Sequence, residues 1–315
     1  MKKSFDVIVV GELNIDLILN QIEGFPEVGK EILADKMTLT LGSSSAICAS
    51  NLSSLGIKVA FIGKLGNDIF GQFIISELEK KGVDTSLIII DDTLKTGATV
   101  ALSYDEDRAM VTHQGAMSHL GINDIDEQQL KQAQHLHFSS YFFQPGFKGA
   151  LDSLFKKAKN AGLTTSLDVQ WDPAEKWDLD LQNVLPLVDV FIPNEVELQK
   201  LTGQENLDLA VKSIQNKSKY TVIKCGNKGS ILCYGNEKIN KEPFLNINAV
   251  DTIGAGDSFN AGYISKFVKG KSPEECQVFG NLMGAVSTTK SGGTGAFENL
   301  NKVMKIAKEK FNYSE

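Results

Sequence analysis

The amino-acid sequence predicts an α/β protein in which a mostly parallel central sheet is flanked by helices. Short apolar runs alternate with amphipathic stretches along most of the chain, as in repeated strand–helix units. The 315 residues, of which 42% are apolar, are enough to bury a sizeable core. The sequence therefore predicts a single α/β unit over 1–315.

Six short apolar runs are typical of buried strands, because each is bounded by Gly, Asn or Asp. They are Val7–Val10, Val59–Ile62, 136–138, 165–167, 188–192 and 221–223. Between them, the stretch 146–160 has apolar residues at helical spacing, and Gly162 follows as a stop signal. This alternation predicts parallel strands with helices on both faces of the sheet.

Two segments, 12–41 and 96–119, depart from this alternation. The second contains a strand-like stretch over 99–104, a turn at 105–107 and a further strand over 108–113. The two segments can pair as a small β-sheet outside the main body, which predicts a lid over the ends of the parallel strands. A pair of edge hairpins explains the same pattern equally well.

Composition excludes several classes of protein. The 32 Lys and Arg against 39 Asp and Glu give a net charge of −7, without a basic block, so nucleic acid is not the expected partner. No window approaches the roughly 18–20 apolar residues of a membrane span. The scattered Cys48, Cys225, Cys233 and Cys276 are typical of thiols in a reducing compartment, which predicts a cytoplasmic protein.

The segment Asp251 to Phe259, with the sequence DTIGAGDSF, carries the chemistry. Gly254, Ala255 and Gly256 add almost no side-chain bulk before a helical pattern, so their amides and the helix dipole can bind a phosphoryl group. Asp257 follows in the first helical turn, where a carboxylate beside a phosphate is expected to meet an attacking hydroxyl. The alternative is an Asp that only caps the helix.

These residues resemble the C-terminal signature of the ribokinase-like (PfkB) family of carbohydrate kinases, D-T-x-G-A-G-D-x-F, which stands here unaltered. The resemblance extends over almost the whole chain. It implies the ribokinase-like fold and the use of ATP and Mg²⁺. It also implies that Asp257 is the catalytic base and that the amides of Gly254, Ala255 and Gly256 form the anion hole.

The resemblance also implies a nucleotide-binding half. Asn194 and Glu197 match the N-x-x-E motif, in which the Glu helps to hold hydrated Mg²⁺. By themselves they are equally a helix capping box. The family's nucleotide-binding positions correspond to Lys224, Gly226, Gly229 and Asn281. Without the resemblance, the first three are simply part of a turn between two strands, and Asn281 could equally be a residue on the surface of a helix.

Many members of the family bind a monovalent cation such as K⁺ through backbone carbonyls. The corresponding positions are Asp251, Ile253 and Gly292 within the loop 291–295. Carbonyl ligands leave no trace in the side chains, so this site is implied by the resemblance alone.

The match weakens at the substrate. Asp16 has the spacing of the family's sugar-binding Asp, and Gly42, Ser43 and Ile47 occupy its G-G-x-x-x-N loop, with Ser for the second Gly and Ile for the Asn. Further substitutions are Met117 for Asn, Gln170 for Asn and Asp172 for Arg. Because buried polar groups determine specificity, these losses indicate either a substrate unlike ribose or a subgroup of the family with its own kind of substrate pocket.

The resulting prediction is an ATP-dependent kinase that phosphorylates a hydroxymethyl group of a sugar or sugar acid, of the ribose, fructose or 2-keto-3-deoxygluconate type. The alternatives are a non-catalytic ligand sensor on the same fold and a nucleoside kinase, for which the lid offers only Phe25 and Tyr104 as aromatic partners. A dinucleotide-binding oxidoreductase is not expected, because the first strand is followed by GELN instead of G-x-G-x-x-G. Apolar lid residues would permit a homodimer through the lid: Ile32, Leu33, Leu39 and Leu41.

Overall fold

The computed structural model describes residues 3–22, 24–104 and 107–314. Its strands are β1 (Val7–Val10), β2 (Asn14–Ile22), β3 (Ala34–Leu41), β4 (Val59–Ile62), β5 (Lys64–Gly66), β6 (Ile89–Asp91), β7 (Gly97–Tyr104), β8 (Asp107–His113), β9 (His135–Ser139), β10 (Thr164–Asp168), β11 (Val190–Phe191), β12 (Tyr220–Lys224), β13 (Ser230–Tyr234) and β14 (Glu237–Lys241). Its α-helices are α1 (Ser44–Ser54), α2 (Ile69–Lys80), α3 (Glu127–Leu130), α4 (Leu151–Asn160), α5 (Leu181–Val184), α6 (Glu195–Thr202), α7 (Leu207–Ser213), α8 (Ala255–Phe267), α9 (Pro273–Ser287) and α10 (Leu300–Phe311). Among these residues, none of the helices is both long and apolar enough to span a membrane.

The main sheet has the strand order β14-β13-β12-β11-β10-β9-β1-β4. The strands from β12 to β4 pair in parallel, whereas β13 and β14 add an antiparallel hairpin at one edge. Each of the six predicted runs coincides with, lies within or contains one of these parallel strands, so the predicted mostly parallel sheet is confirmed. The run at 188–192 is longer than its strand, β11, which covers only Val190–Phe191 and follows a 3₁₀ turn at Leu185–Leu187.

The core lies on both faces of this sheet. Val7 and Val9 of β1 belong to one buried apolar cluster, and Ile8 and Val10 belong to the other. Because successive strand residues point to opposite faces, a strand with two buried faces is apolar at every position. This explains why the runs are continuous instead of alternating.

The helix predicted over 146–160 begins later, at Leu151. Pro145–Phe147 forms a separate 3₁₀ turn, and Gly149 has a φ of 70°, which is incompatible with a right-handed helix. From Leu151 the predicted spacing is observed, since Leu151, Leu154, Phe155 and Ala158 are all buried.

The two segments that depart from the alternation form one small sheet with the order β3-β2-β7-β8. The alternative of two edge hairpins on the main sheet is therefore wrong. The two strands end where predicted, at Tyr104 and His113, but they begin earlier, at Gly97 and Asp107, so residue 107 belongs to β8 and not to the predicted turn. Of the turn predicted at 105–107, residues 105 and 106 lie outside the described residues.

The small sheet has two chemically different faces. One row across its four strands consists of Thr40, Asp16, Thr99 and Thr112, and the neighbouring row, which points to the other face, consists of Leu39, Leu17, Val100 and Val111. Because side chains alternate along a strand, the sheet has a polar face and an apolar face. Gly42, which follows β3, and Gly292 lie against the polar face, near Asp16 and Thr40 respectively.

Candidate active site

The segment DTIGAGDSF forms a tight turn and the first turns of α8. Gly254 is the N-cap of this helix and has a φ of 72°. Asp257 lies in the first helical turn and is only 6% exposed. The Ala255 amide donates to the carbonyl of Thr252 at 3.2 Å, so one of the three predicted anion-hole amides has a partner within the turn.

A second loop, 291–295, lies directly against this turn. The Asp251 carboxylate accepts hydrogen bonds from the amides of Ile253 and Gly292, both at 2.9 Å. A Cβ atom on Gly254 would lie 2.6 Å from the Cα of Gly293, so the two backbones approach as closely as glycine allows. The three residues predicted for the monovalent cation are therefore brought together.

Asn51 of α1 connects these two loops and was not identified from the sequence. Its Nδ2 donates to the Ser258 hydroxyl at 2.9 Å and to the Gly293 carbonyl at 3.0 Å. Asn51 is completely buried, so its amide makes these bonds in place of water. The sequence carries no distinct signal for this role, because Asn51 lies in a helix of small residues that includes several serines, and its partners are distant in the chain.

Ile47 packs against the same two loops. Its side-chain carbons lie 2.8–3.1 Å from a Cβ position on Gly293 and 3.2 Å from one on Gly254. The residue is buried and fills the space between α1 and the glycine turns. The position predicted to face the substrate is thus in contact with the backbone of the predicted anion hole.

The other predicted substrate residues lie at the base of the small sheet. A Cβ on Gly42 would lie 2.3 Å from Asp16 Oδ1, so only glycine fits beside this carboxylate. Asn14 donates to Asp16 at 3.1 Å and to Thr99 at 3.0 Å. This arrangement presents a carboxylate, an amide and a hydroxyl on one polar surface.

Ser43 occupies a position where the family carries glycine, and the backbone shows why. Its φ of 56° lies in the region that favours glycine. The serine compensates through its hydroxyl, which donates to the Glu12 carbonyl and accepts from the Ala46 amide at 2.9 Å. It therefore caps α1.

A cluster around Asp168 is the main feature that sequence reasoning missed. Asp168 is the last residue of β10 and is completely buried. One of its oxygens, Oδ2, accepts from Lys224 Nζ at 2.6 Å, from Gln170 Nε2 at 2.9 Å and from the side-chain amide of Asn260. Gln170 also donates to Asp257 Oδ1 at 3.0 Å, so this cluster contacts the predicted base.

This contact corrects the interpretation of Gln170 as a lost polar group. The longer amide reaches from the end of β10 to Asp257. Asp172, by contrast, is used by its own loop, because it accepts from the amides of Ala174, Lys176 and Trp177 at 2.7–2.9 Å. The signal was present, since a polar D-x-Q segment follows a predicted strand, but its partners depend on α8.

The predicted base lies in a strongly acidic environment. Burial and the neighbouring Asp168 raise the pKa of Asp257 from 3.8 to about 8, while Lys224 acts in the opposite direction. Burial also raises the pKa of Glu12, which lies between β1 and β2. The site therefore favours neutral carboxyl groups unless a cation approaches, because desolvation disfavours the charged form.

Asn194 and Glu197 form the capping box of α6. The Glu197 backbone amide donates to Asn194 Oδ1 at 2.8 Å, and the backbone and side-chain amides of Asn194 donate to the two Glu197 carboxylate oxygens at 2.7–2.8 Å. Glu197 is nevertheless buried, and burial together with Asp168 raises its pKa to about 7. A buried acid with a raised pKa is unusual for a residue that only caps a helix.

The predicted nucleotide residues surround one end of the main sheet. Lys224 pairs with Asn194 through an isolated parallel β-bridge. Gly229 leaves no space for a side chain, since a Cβ would lie 2.0 Å from the Lys241 carbonyl. Asn281 is buried and donates to the carbonyls of Lys241 and Glu242 at 3.2–3.4 Å, so it is not a helix-surface residue. Gly226 begins the 3₁₀ turn between β12 and β13.

The raised pKa of Asp257 predicts how stability depends on pH. A carboxyl group with a higher pKa in the folded state stabilises the fold at low pH, and this contribution is lost as pH rises through about 8. We expect Asp257→Asn to weaken the decrease in the free energy of unfolding between about pH 5 and pH 8. Urea unfolding of both proteins at several pH values measures this, and parallel curves would contradict the burial of a neutral Asp257.

Comparison with known proteins identifies the class. A sequence model of the pfkB family carbohydrate kinases matches residues 4–300. Ribokinase of Haemophilus influenzae is 30% identical over 292 residues, which cover 90% of this chain and 92% of that protein. The 2-dehydro-3-deoxygluconokinase of Bacillus subtilis is 27% identical over 301 residues, covering 91% and 90%.

The fold agrees. The structure of Arabidopsis thaliana ribokinase with ribose and ATP matches with a TM-score of 0.85 and 26% identity, covering 98% of this chain and 99% of that chain. The fold is thus ribokinase-like, and the class is that of phosphotransferases that act on sugars. The chain belongs to the pfkB family of carbohydrate kinases.

Proposed function

We propose that the protein uses ATP to phosphorylate a hydroxymethyl group of a sugar or sugar acid. The observation that carries this proposal is the position of Asp257. It lies buried in the first turn of α8, directly after the Gly254–Gly256 backbone, where an attacking hydroxyl and a phosphoryl group would meet. The structure of the matched ribokinase from Arabidopsis thaliana contains ribose and ATP, which supports a sugar as acceptor and ATP as phosphoryl donor in this proposal.

In this proposal, a cation that arrives with the nucleotide favours the ionised form of Asp257, whose carboxylate then accepts the hydroxyl proton. The amides of Gly254, Ala255 and Gly256 bind the transferring phosphoryl group. The polar face of the small sheet, with Asp16 beside Gly42, binds the hydroxyl groups of the acceptor. The small sheet acts as a lid that excludes water during transfer. Asn194, Lys224, Gly226, Gly229 and Asn281 bind the nucleotide.

The residues also fit Mg²⁺ carried by the nucleotide. Among the described residues, no group of three or more His, Cys, Asp or Glu could hold a metal by itself. Mg²⁺ usually keeps several waters and needs only one or two carboxylates besides the phosphates, so the buried Glu197 is sufficient. When bound, Mg²⁺ neutralises charge on the phosphates.

A monovalent cation such as K⁺ also fits the backbone at Asp251, Ile253 and Gly292. The Asp251 carboxylate accepts from the amides of Ile253 and Gly292, so the backbone of these three residues lies in one region next to the anion hole. Such a cation is bound by oxygen ligands that the backbone supplies.

One observation favours a nucleoside kinase as the second candidate. Trp171 follows Gln170, which touches Asp257, and Trp171 is half-exposed. Its ring contacts Trp177 edge to face at 5.1 Å, and Trp177 contacts Phe142 at 5.5 Å. An exposed ring supported by further aromatic rings can stack on a base.

The test is ADP release with Mg-ATP in KCl across sugars, sugar acids and nucleosides. Sugar-dependent or sugar-acid-dependent turnover is expected, with Asp257→Asn as the inactive control. Turnover with nucleosides alone would show that the protein is a nucleoside kinase, the second candidate, and not a sugar kinase. ATP binding without turnover on any acceptor would favour a ligand sensor, and absence of ATP binding would overturn the kinase proposal.

We also propose a homodimer through the apolar face of the small sheet. Leu39, Val100 and Val111 of one row are exposed, and so is Leu33. Leu41, which was predicted to contribute, is buried in the main core and cannot. Exposed apolar patches of this kind mark interaction surfaces.

Val111→Lys is expected to convert this dimer into a monomer, because the charge would be buried in the interface. Light scattering after size exclusion measures the mass. Ile69→Lys is the matched control, since Val111 and Ile69 are both 75% exposed but Ile69 lies on α2. A monomeric wild type, or equal effects of both variants, would contradict the proposal.

A further inference from the structure

Lys224 and Asp168 form a buried ion pair at the ends of two strands of the main sheet. They are the last residues of β12 and β10, which flank β11. Their charged atoms are 2.6 Å apart, with side chains 11% and 0% exposed. The carboxyl ends of parallel strands are where α/β proteins bind ligands, so this pair lies at the functional edge.

The pair is poorly explained as a stabilising element. A buried ion pair contributes little net stability, because desolvation of both charges offsets their attraction. The Oδ2 atom of Asp168 is fully occupied, since it also accepts from Gln170 and Asn260. Lys224, by contrast, has three N–H donors, and its bond to Asp168 uses one of them.

The position of the ammonium group indicates its ligand. A Cβ atom on Gly256 would lie 3.7 Å from Lys224 Nζ, so the ammonium lies beside the predicted anion hole. Gln170 connects Asp168, which holds the ammonium, to Asp257, the acid expected at the acceptor. On the other side, Lys224 pairs with Asn194, whose amides bond to Glu197, the acid expected at Mg²⁺. A buried cation between these groups and the glycine backbone matches an anionic group bound there.

We propose that Lys224 is a catalytic residue that binds the transferring phosphoryl group, and that Asp168 is the positioning residue that holds its ammonium there. This inference rests on the proposed function. In the transfer, the acceptor oxygen bonds to the γ-phosphorus as the bond from phosphorus to the bridging oxygen breaks. The electron pair of that bond stays with ADP, and the hydroxyl proton passes to Asp257. Lys224 stabilises the charge on the non-bridging oxygens.

The test removes both charges together. Lys224→Met alone leaves Asp168 buried without its cation and can prevent folding, so the main variant is the double change Lys224→Met with Asp168→Asn. We expect its kcat to fall about 10²–10³-fold with the KM for the acceptor within about threefold, as for the loss of one oxyanion donor. Lys224→Arg is expected to restore part of the kcat.

A binding measurement separates this role from a structural one. Calorimetry measures the affinities for ADP and for AMP-PNP, which carries the third phosphate. The ratio of the two affinities is the preference for the γ-phosphate. The double variant should lose about tenfold or more of this preference, as expected for a charge-assisted bond. Asp168→Asn alone should lose part of it, because the ammonium is retained but no longer held. An unchanged preference, or a kcat near that of the wild type, would overturn the proposal.

A matched control uses a partly buried lysine pair, Lys64 with Asp124, whose side chains are 12% and 27% exposed and whose charged atoms are 3.1 Å apart. Lys64→Met with Asp124→Asn should leave kcat and the nucleotide preference within about twofold of the wild type. If the wild type binds AMP-PNP but no acceptor is found, the preference alone decides the role of Lys224. If it binds neither nucleotide, both this inference and the proposed function fail.

Discussion

Asp257→Asn is expected to reduce acceptor-dependent ADP release by about 10³-fold or more, because the variant has no base for the hydroxyl proton. The change is nearly isosteric, and the carbonyl oxygen of the new side-chain amide can still accept the hydrogen bond from Gln170, which is 3.0 Å from the carboxylate in the wild type. The loss should therefore appear in kcat, with little change in the KM for ATP. Steady-state kinetics with the acceptor found in the panel measures both constants.

The fold of this variant should remain intact. Burial already favours the neutral form of Asp257, so a neutral amide replaces it without creating a buried charge. Binding of AMP-PNP by calorimetry and a thermal transition at about pH 5 that is no lower than that of the wild type are the controls. Turnover within about tenfold of the wild type would show that Asp257 is not the base.

Gly254→Ala is expected to cause the second largest loss, about 10²-fold in kcat, together with a lower thermal transition. The alanine would adopt a φ of 72°, and its Cβ would lie 2.6 Å from the Gly293 Cα and 3.2 Å from Ile47. Because the contact is with backbone, the turn or the neighbouring loop must shift, and the phosphoryl-binding amides move with it. A displacement of about 1 Å can cost this much in rate.

Gly270→Ala isolates the contact from the conformational strain. Gly270 has a φ of 73°, and a Cβ there would have no neighbour within 4 Å. Both variants therefore carry the same cost of a left-handed alanine, roughly 1–2 kcal/mol. The rate loss should be confined to Gly254→Ala. If both variants lost the same stability and both kept full activity, the close approach of Gly254 to Gly293 would have no role in catalysis.

Much of the fold could be predicted because its signals are local. The run Val7–Val10 is apolar at each position, and a strand buried on both faces requires this. At 12–41 and 96–119 the spacing changes to alternation, which predicted strands outside the main pattern but left a small sheet and a pair of edge hairpins equally supported. The predicted beginning of α4 was wrong. The apolar spacing continues through residues 146–150, but Pro145 begins a separate 3₁₀ turn and Gly149 has a positive φ, so the helix begins only after them.

Part of the site was equally local. Gly254, Gly256 and Asp257 lie within four consecutive residues, so their shared turn depends on backbone preferences and on the helix that follows. Ser43 shows the limit of this reasoning. Its identity indicates a departure from the family's loop, but only the structure shows that its hydroxyl caps α1 and compensates for a positive φ.

The sequence alone therefore determined the α/β class, the mostly parallel sheet, the family and the acid expected to act as base, because short-range periodicity and adjacent residues encode them. Only the tertiary structure decided which groups surround that acid. Asp168 ends β10 and Gln170 follows it, Lys224 ends β12, and the Gln170 amide connects this group to Asp257 of α8. Such contacts depend on strand order and helix packing, and neither leaves a pattern in the neighbouring residues.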